Sequence, residues 1–157
     1  MSDTDEKVAA GRAWRDNHLA LYLADGKAGH IIDTRAFGGP KETVSLVLKT
    51  IGRKSGKVQM TPLIYIAEGE EYVIVASNAG SETHPAWYFN LVERPEVEFQ
   101  VVEDKFRGTW RIAEGEERTR LWNAAVNYFS PYSSYRQNTA RQIPVVVLTP
   151  KEKIGSL

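Results

Sequence analysis

From Val44 the chain alternates apolar and polar positions, with Val44, Leu46 and Leu48 on one side, the period of a half-buried strand. The pattern breaks at Gly52-Arg53-Lys54-Ser55-Gly56-Lys57 and resumes as Leu63-Ile64-Tyr65-Ile66, which reads as a hairpin. Pro62 lies inside the second run and has no N–H to donate, so that run must be an edge strand or carry a bulge. Tyr72 to Ser77 is a continuous apolar, β-branched run, a buried strand. Val97, Phe99 and Val101 alternate with Glu98 and Gln100, a strand with one wet face. Phe106 to Ala113 returns as its partner, with Gly108 a candidate bulge. Ile143 to Thr149 closes the set as a central strand.

Helical spacing appears three times. Lys7 to Ala24 carries Leu19, Tyr22 and Leu23 late in the segment, and Asp25-Gly26-Lys27-Ala28-Gly29 stops it. This N-terminal extension, residues 1–24, reads as a packing helix. Pro85 precedes Trp87 and Leu91, four apart, a short helix with one face inward. Glu114 to Phe129 has the stripe Leu121, Trp122, Ala125, Val126 and Phe129, pairs Glu114/Arg118 and Glu116/Arg120 at i,i+4, and Pro131 as its end. The sum is about six strands and three flanking helices. The strands come as hairpins rather than βαβ units, so the sheet is mostly antiparallel and the class mainly β with α.

Composition narrows the partners. The 157 residues fit a single domain, 1–157. Twenty basic and 20 acidic side chains cancel, so no global field draws nucleic acid or an anionic membrane. Peripheral membrane contact has weak support, because the first helix mixes its charges. Cysteine is absent, which removes disulfides and thiolate metal sites, and three histidines without clustered carboxylates do not make a metal site. The first residues lack an apolar signal core and no run spans a bilayer, so a cytoplasmic location is the expectation.

The candidate chemistry is local. Arg53, Lys54 and Lys57 share a bend whose glycines let backbone N–H groups approach a ligand, a combination suited to an anion such as phosphate. Read alone, the same six residues also describe a solvated basic turn. Tyr128, Tyr132 and Tyr135 crowd into eight residues, and read alone they also describe a packing cluster. No GxGxxG follows a strand, and no GxSxG or HExxH occurs. An enzyme whose chemistry belongs to a bound cofactor fits what remains.

GRKSGK followed by Thr61-Pro62-Leu63 and Tyr65 resembles the signature of the deazaflavin-dependent nitroreductase and quinone reductase family. Val75-Ala76-Ser77, His84-Pro85-Ala86-Trp87-Tyr88 with Asn90-Leu91, and Ile143 to Leu148 follow in the family's order. The resemblance runs from about His18 to Pro150. It implies a split β-barrel of the flavin-reductase type, and hydride transfer from reduced coenzyme F420 to a flat electron-poor acceptor: a quinone, enone or nitro compound. It places the coenzyme's phosphate and polyglutamate tail on Arg53, Lys54, Ser55 and Lys57, and the ring near Thr61, Pro62, Tyr65, Ala76, Ser77, Ala86 and Trp87. Gln59 and Asn78 belong to the same cofactor side, where relatives usually carry arginine and Lys-Gly. The substrate side falls to Tyr135, Tyr132 and Tyr128, with Ser77 and Tyr65; a protonated phenol donates to an oxygen on which charge develops. Alternatives are FMN or FAD on the same barrel, or a non-catalytic module for an amphiphilic anion. Split barrels often pair but relatives differ, so the resemblance allows a homodimer and leaves the oligomeric state open.

Overall fold

The computed structural model describes residues 3–157, with side chains from Arg12 onward. Eight strands follow one another as β1 (Ile31–Ile32), β2 (Thr43–Ile51), β3 (Val58–Ile64), β4 (Ile66–Glu68), β5 (Glu71–Val75), β6 (Glu96–Val101), β7 (Asp104–Ile112) and β8 (Val145–Lys153). Five α-helices accompany them: α1 (Asp3–Ala24), α2 (Gly26–His30), α3 (Ala86–Val92), α4 (Gly115–Tyr128) and α5 (Pro131–Gln137). Every pairing is antiparallel, in the order β1-β2-β6-β7-β8-β5-β4, with β3 joined to β2.

Side-chain alternation explains why β5 and β8 read as unbroken apolar runs. Val73, Val75, Val145 and Val147 face α4 and α5, while Ile74, Val146 and Leu148 face the interior of the curl with Leu46, Leu48 and Phe99. A strand covered on both faces has no polar side to show. β6 keeps the simpler pattern: Val97, Phe99 and Val101 are buried, while Glu98 takes an ion pair from Lys49 Nζ at 3.1 Å.

Several expectations needed correction. α1 does stop at Ala24, but the glycines after it open a second helix rather than a turn, and the Asp25 carboxylate caps α2 by accepting from Ala28 N–H at 3.2 Å. Its glycines serve close packing: a Cβ on Gly26 would lie 2.0 Å from the Val102 carbonyl oxygen, and one on Gly29 2.4 Å from Tyr22 Cα. Pro131 starts α5 instead of only ending α4, a first-turn position where its missing N–H is harmless. The second strand of the hairpin splits at Tyr65 into β3 and β4. The i,i+4 pairs on α4 give way to longer-range partners, Arg118 to the Ile143 carbonyl and Arg120 to Glu68. Two local readings hold: Pro62 sits on β3, which is paired only to β2, and the register slips between Arg107 and Gly108.

The end of α1 is pinned. Tyr22 is fully buried, its hydroxyl donates to the Ser45 carbonyl at 2.8 Å and accepts from Val102 N–H at 2.9 Å. Burial pushes its phenol up to about 12. This anchor lays α1 across the edge strand β3. No described helix is long and apolar enough to cross a membrane.

Candidate functional site

The β2–β3 hairpin closes through backbone hydrogen bonds from Gly52 N–H to the Lys57 carbonyl and from Gly56 N–H to the Gly52 carbonyl, both 2.8 Å. Gly56 takes φ +71°, a conformation that suits glycine. Ser55 Oγ accepts from Lys57 N–H, so the serine shapes the bend. Asn90, 5% exposed on α3, fixes the bend from beneath. Its Oδ1 accepts from Arg53 N–H at 3.0 Å, and its Nδ2 donates to Thr50 Oγ1 at 3.4 Å and Gln59 Oε1 at 3.3 Å. The Arg53 guanidinium lies 4.6 Å from the Phe89 ring centroid.

Three hollows then run along one side of the molecule. The first, about 410 Å³, is lined by Arg53, Lys54, Ser55, Gln59, His84 and Ala86 among others, and among the described residues no carboxylate lines it. The second, about 400 Å³, shares Gln59 and Ala86 with the first and adds Thr61, Pro62, Asn78 and Trp87, with Arg15 and Leu19 of α1. The third, about 210 Å³, shares Pro62 with the second and is closed by Ser77, Phe129, Tyr132 and Tyr135, with Trp14 and Phe37. The result is one trough with a charged end, a middle bordered by β3 and α3, and a phenolic end.

The middle owes its shape to an unusual turn after β5. Asn78 and Ala79 have φ of +49° and +53°, followed by Gly80 at +79°. Asparagine tolerates this region better than most residues, and Asn78 Nδ2 donates to the Thr83 carbonyl at 3.1 Å. A side chain on Gly80 would lie 2.9 Å from Tyr135 Cα, so the turn presses directly on α5. Arg141 straps it from the other side. Its Nη2 donates to the Ser77 carbonyl at 2.7 Å, its Nε to Ser81 at 2.9 Å, and its Nη1 to Ala76 at 3.2 Å.

The tyrosines divide sharply. Tyr65 Oη lies 2.8 Å from His30 Nε2 in the barrel core, and Tyr128 Oη accepts from Val44 N–H at 2.8 Å. Both hydroxyls are engaged internally and neither residue lines the trough. Among the described residues the Tyr132 and Tyr135 hydroxyls have no hydrogen-bond partner, and both rings line the third hollow, 6.2 Å apart. Burial raises both phenols above the ordinary value, Tyr132 more strongly. Both therefore remain donors at neutral pH.

The structure thus brings together Arg53, Lys54, Ser55, Gln59, Thr61, Pro62, Ser77, Asn78, Ala86, Trp87, Tyr132 and Tyr135 along the trough. Lys57 lines none of its three hollows, and Ala76 lies fully buried beneath it. Sequence reasoning carried His84 and Asn90 only as members of a motif, with no role for either, and gave Arg141, Trp14 and Phe37 no place in the site. Asn90 had a visible signal, a polar residue amid Trp87, Phe89 and Leu91, whereas nothing local marks Arg141.

An antiparallel half-barrel with a helix-covered trough along its edge defines a split barrel of the flavin-reductase type. A solved F420-H2 dependent reductase superposes with a TM-score of 0.61 at 39% identity, over 66% of this chain and 92% of that one. A second solved chain, described as a domain-swapped dimer, gives 0.61 and 39% over 66% of this chain and 78% of that one. An F420H(2)-dependent quinone reductase of Mycobacterium tuberculosis is 37% identical over 136 residues, 84% of this chain and 87% of that protein. Residues 26–150 match the family described as F420H(2)-dependent quinone reductase, and the chain belongs to that family.

Proposed function

We propose that this chain reduces a quinone with hydride from reduced coenzyme F420, as the names of its relatives state for them. The observation that carries the reading is a cationic hollow with no carboxylate among the described residues, which joins through Gln59, Ala86 and Pro62 to a pocket holding two phenols that no described residue partners. When bound, the coenzyme supplies the hydride. Arg53 and Lys54 attract its acidic side chain: Arg53 can fork two oxygens, and Lys54 acts as a mobile point charge. Gln59 and Asn90 hold the bend rather than adding charge. Thr61, Pro62, Ala86 and Trp87 would border the ring, Arg15 and Leu19 of α1 would shield it from water, and Trp14 would shield the acceptor hollow beside it.

On the acceptor side, Tyr132 and Tyr135 donate hydrogen bonds to a quinone oxygen as negative charge develops there. A quinone that gains a hydride also needs a proton to leave as hydroquinone. Tyr135, the less buried of the two, can pass that proton and recover it from solvent. Ser77 closes the same hollow.

The test is a fluorescence titration with F420, followed by quinone turnover. The intact protein should bind tighter than about 50 µM, within the ordinary enzyme range. Absence of binding at that level, or unaltered binding by Arg53→Glu/Lys54→Glu, would sink the proposal. No observation favours FMN, FAD or a non-catalytic anion carrier. The same reading extends to a homodimer, by analogy with the 39% identical chain described as domain-swapped. A monomer mass by light scattering would remove that part.

A further inference from the structure

His84 stands where the charged end meets the turn after β5. It lines the first hollow together with Arg53 and Lys54. Its Nδ1 lies 2.9 Å from Arg141 Nη1. A guanidinium has donors only and stays charged, so Nδ1 must accept. The single ring proton is then left on Nε2. Arg141 itself cannot drift, because it also donates to the carbonyls of Ala76, Ser77 and Ser81. The imidazole is boxed in by Tyr88 and Phe89, with ring centroids at 4.6 and 5.6 Å. Burial, and then the charge of Arg141, lower its pKa and favour the neutral form.

This arrangement removes most roles a histidine can play. With Nδ1 accepting and Nε2 protonated there is no free lone pair, so the ring is neither a general base nor a metal ligand. What remains is one directional N–H donor in a hollow whose other polar side chains are two full cations, Ser55, Thr83, Gln59 and Asn90. We propose that His84, through its Nε2–H, binds an anionic oxygen of the coenzyme's phosphate-bearing side chain, and that Arg141 is the positioning residue that aims it. The inference rests on the F420 reading above and adds a contact that neither charge nor motif spacing reveals. It also links the two ends of the trough, since one guanidinium orients the anion donor and holds the carbonyl of Ser77.

Two measurements decide it. Histidine 15N–1H spectra of the free protein should show His84 protonated at Nε2 and unprotonated at Nδ1 from about pH 6.5 upward. Arg141→Gln should blur that preference. A resonance with the opposite tautomer overturns the positioning claim. In fluorescence titrations, His84→Ala should weaken F420 binding by about 10- to 100-fold, the loss of one hydrogen bond to a charged group. His84→Gln, which keeps a donor, should recover part of this. The deazaflavin chromophore without its phosphate should bind the wild type and His84→Ala equally. Equal F420 affinity in the wild type and His84→Ala overturns the proposal. So does an equal loss for the shortened chromophore, which would mean a purely structural effect. If the intact protein binds no F420, the proposed function falls first. Inorganic pyrophosphate titrated against the His84 Nε2–H signal then judges the inference alone, and an unmoved signal overturns it.

Discussion

At the charged end of the trough the cations sit on a six-residue loop, residues 52–57, held by backbone hydrogen bonds, Ser55 and the amide of Asn90. At the other end Tyr132 is 6% exposed, Phe129 3% and Val75 8%, wedged where β5, α4 and α5 meet. The two ends solve different problems. A cation attracts an acidic side chain over several ångströms and keeps most of its effect while hydrated and mobile. A donor to a reacting oxygen must be in place before charge develops, so it needs neighbours that leave it one position. The loop end therefore governs affinity and the packed end governs rate.

Reversing the charges at the loop gives the largest expected effect. Arg53→Glu/Lys54→Glu should raise the F420 dissociation constant more than about 100-fold, since each lost charge-assisted contact costs about 1.5–3 kcal/mol. Thermal stability should hold, because both side chains are exposed. Raising the salt concentration should weaken wild-type binding in the same direction.

Removing the phenols should do the converse. Tyr132→Phe/Tyr135→Phe should lower quinone turnover by about 100-fold, the scale for losing a donor to a developing oxyanion, with F420 affinity within about twofold of wild type. Loss of affinity with turnover kept would reverse the division of labour. Burial raises both phenols, so turnover should show no fall from tyrosine ionisation as pH approaches 10; a limb at or below that pH would exclude them as the donors.

The same contrast explains what could be read from the chain in advance. The loop is contiguous, so Gly52, Arg53, Lys54, Ser55 and Gly56 announce their chemistry in one glance, and alternation fixes β2, β6 and β7. The phenol end is assembled from segments far apart in sequence. The three tyrosines look equivalent as text, yet Tyr128 is tied to Val44 across 84 residues while Tyr132 and Tyr135 are not. That difference depends on where β2 passes, which no local pattern encodes. Arg141 is equally silent: its partners, Ala76 to His84, lie some 60 residues away. α5 was missed because proline ends a helix and begins one with the same residue.

Asn90 tests whether the loop end is as loosely held as its exposure suggests. Asn90→Ala removes an acceptor from Arg53 N–H and a donor to Gln59 and Thr50. We expect about a tenfold weaker F420 dissociation constant, with about 1–3 kcal/mol of stability lost for the polar groups left unpaired beneath α3. Asn90→Asp keeps the acceptor but sets a carboxylate beside Arg53, and should bind less tightly than wild type. Unchanged affinity in both variants would mean that the loop orders itself.

The smallest effect concerns the cover. His18 on α1 stacks on Trp14 at 5.2 Å and meets the Tyr22 ring edge-on at 6.2 Å, and its buried Nε2 has no partner among the described residues. Burial is the main reason its pKa falls below 6.5, with a hydrogen bond donated by the ring to the Gly29 backbone opposing. His30, against Tyr65, is lowered by burial too. For each, the unfolded chain binds a proton more readily than the folded one, so stability falls as pH drops through about 6.5 toward the depressed folded values. The carboxylates lowered by arginine partners, such as Glu71 with Arg111, lose their contribution only at more acid pH, below about 4.5. Between pH 7.5 and 5 the wild-type melting temperature should therefore decline modestly. His18→Phe, which keeps the stacking without the titration, should flatten part of that slope. Trp14 borders the phenol hollow and Arg15 and Leu19 the middle one, while no described α1 residue lines the cationic one, so turnover should weaken with acid more than F420 affinity does. A flat melting temperature over that range would remove the histidines from the stability balance, and affinity failing first would show that α1 guards the charged end instead.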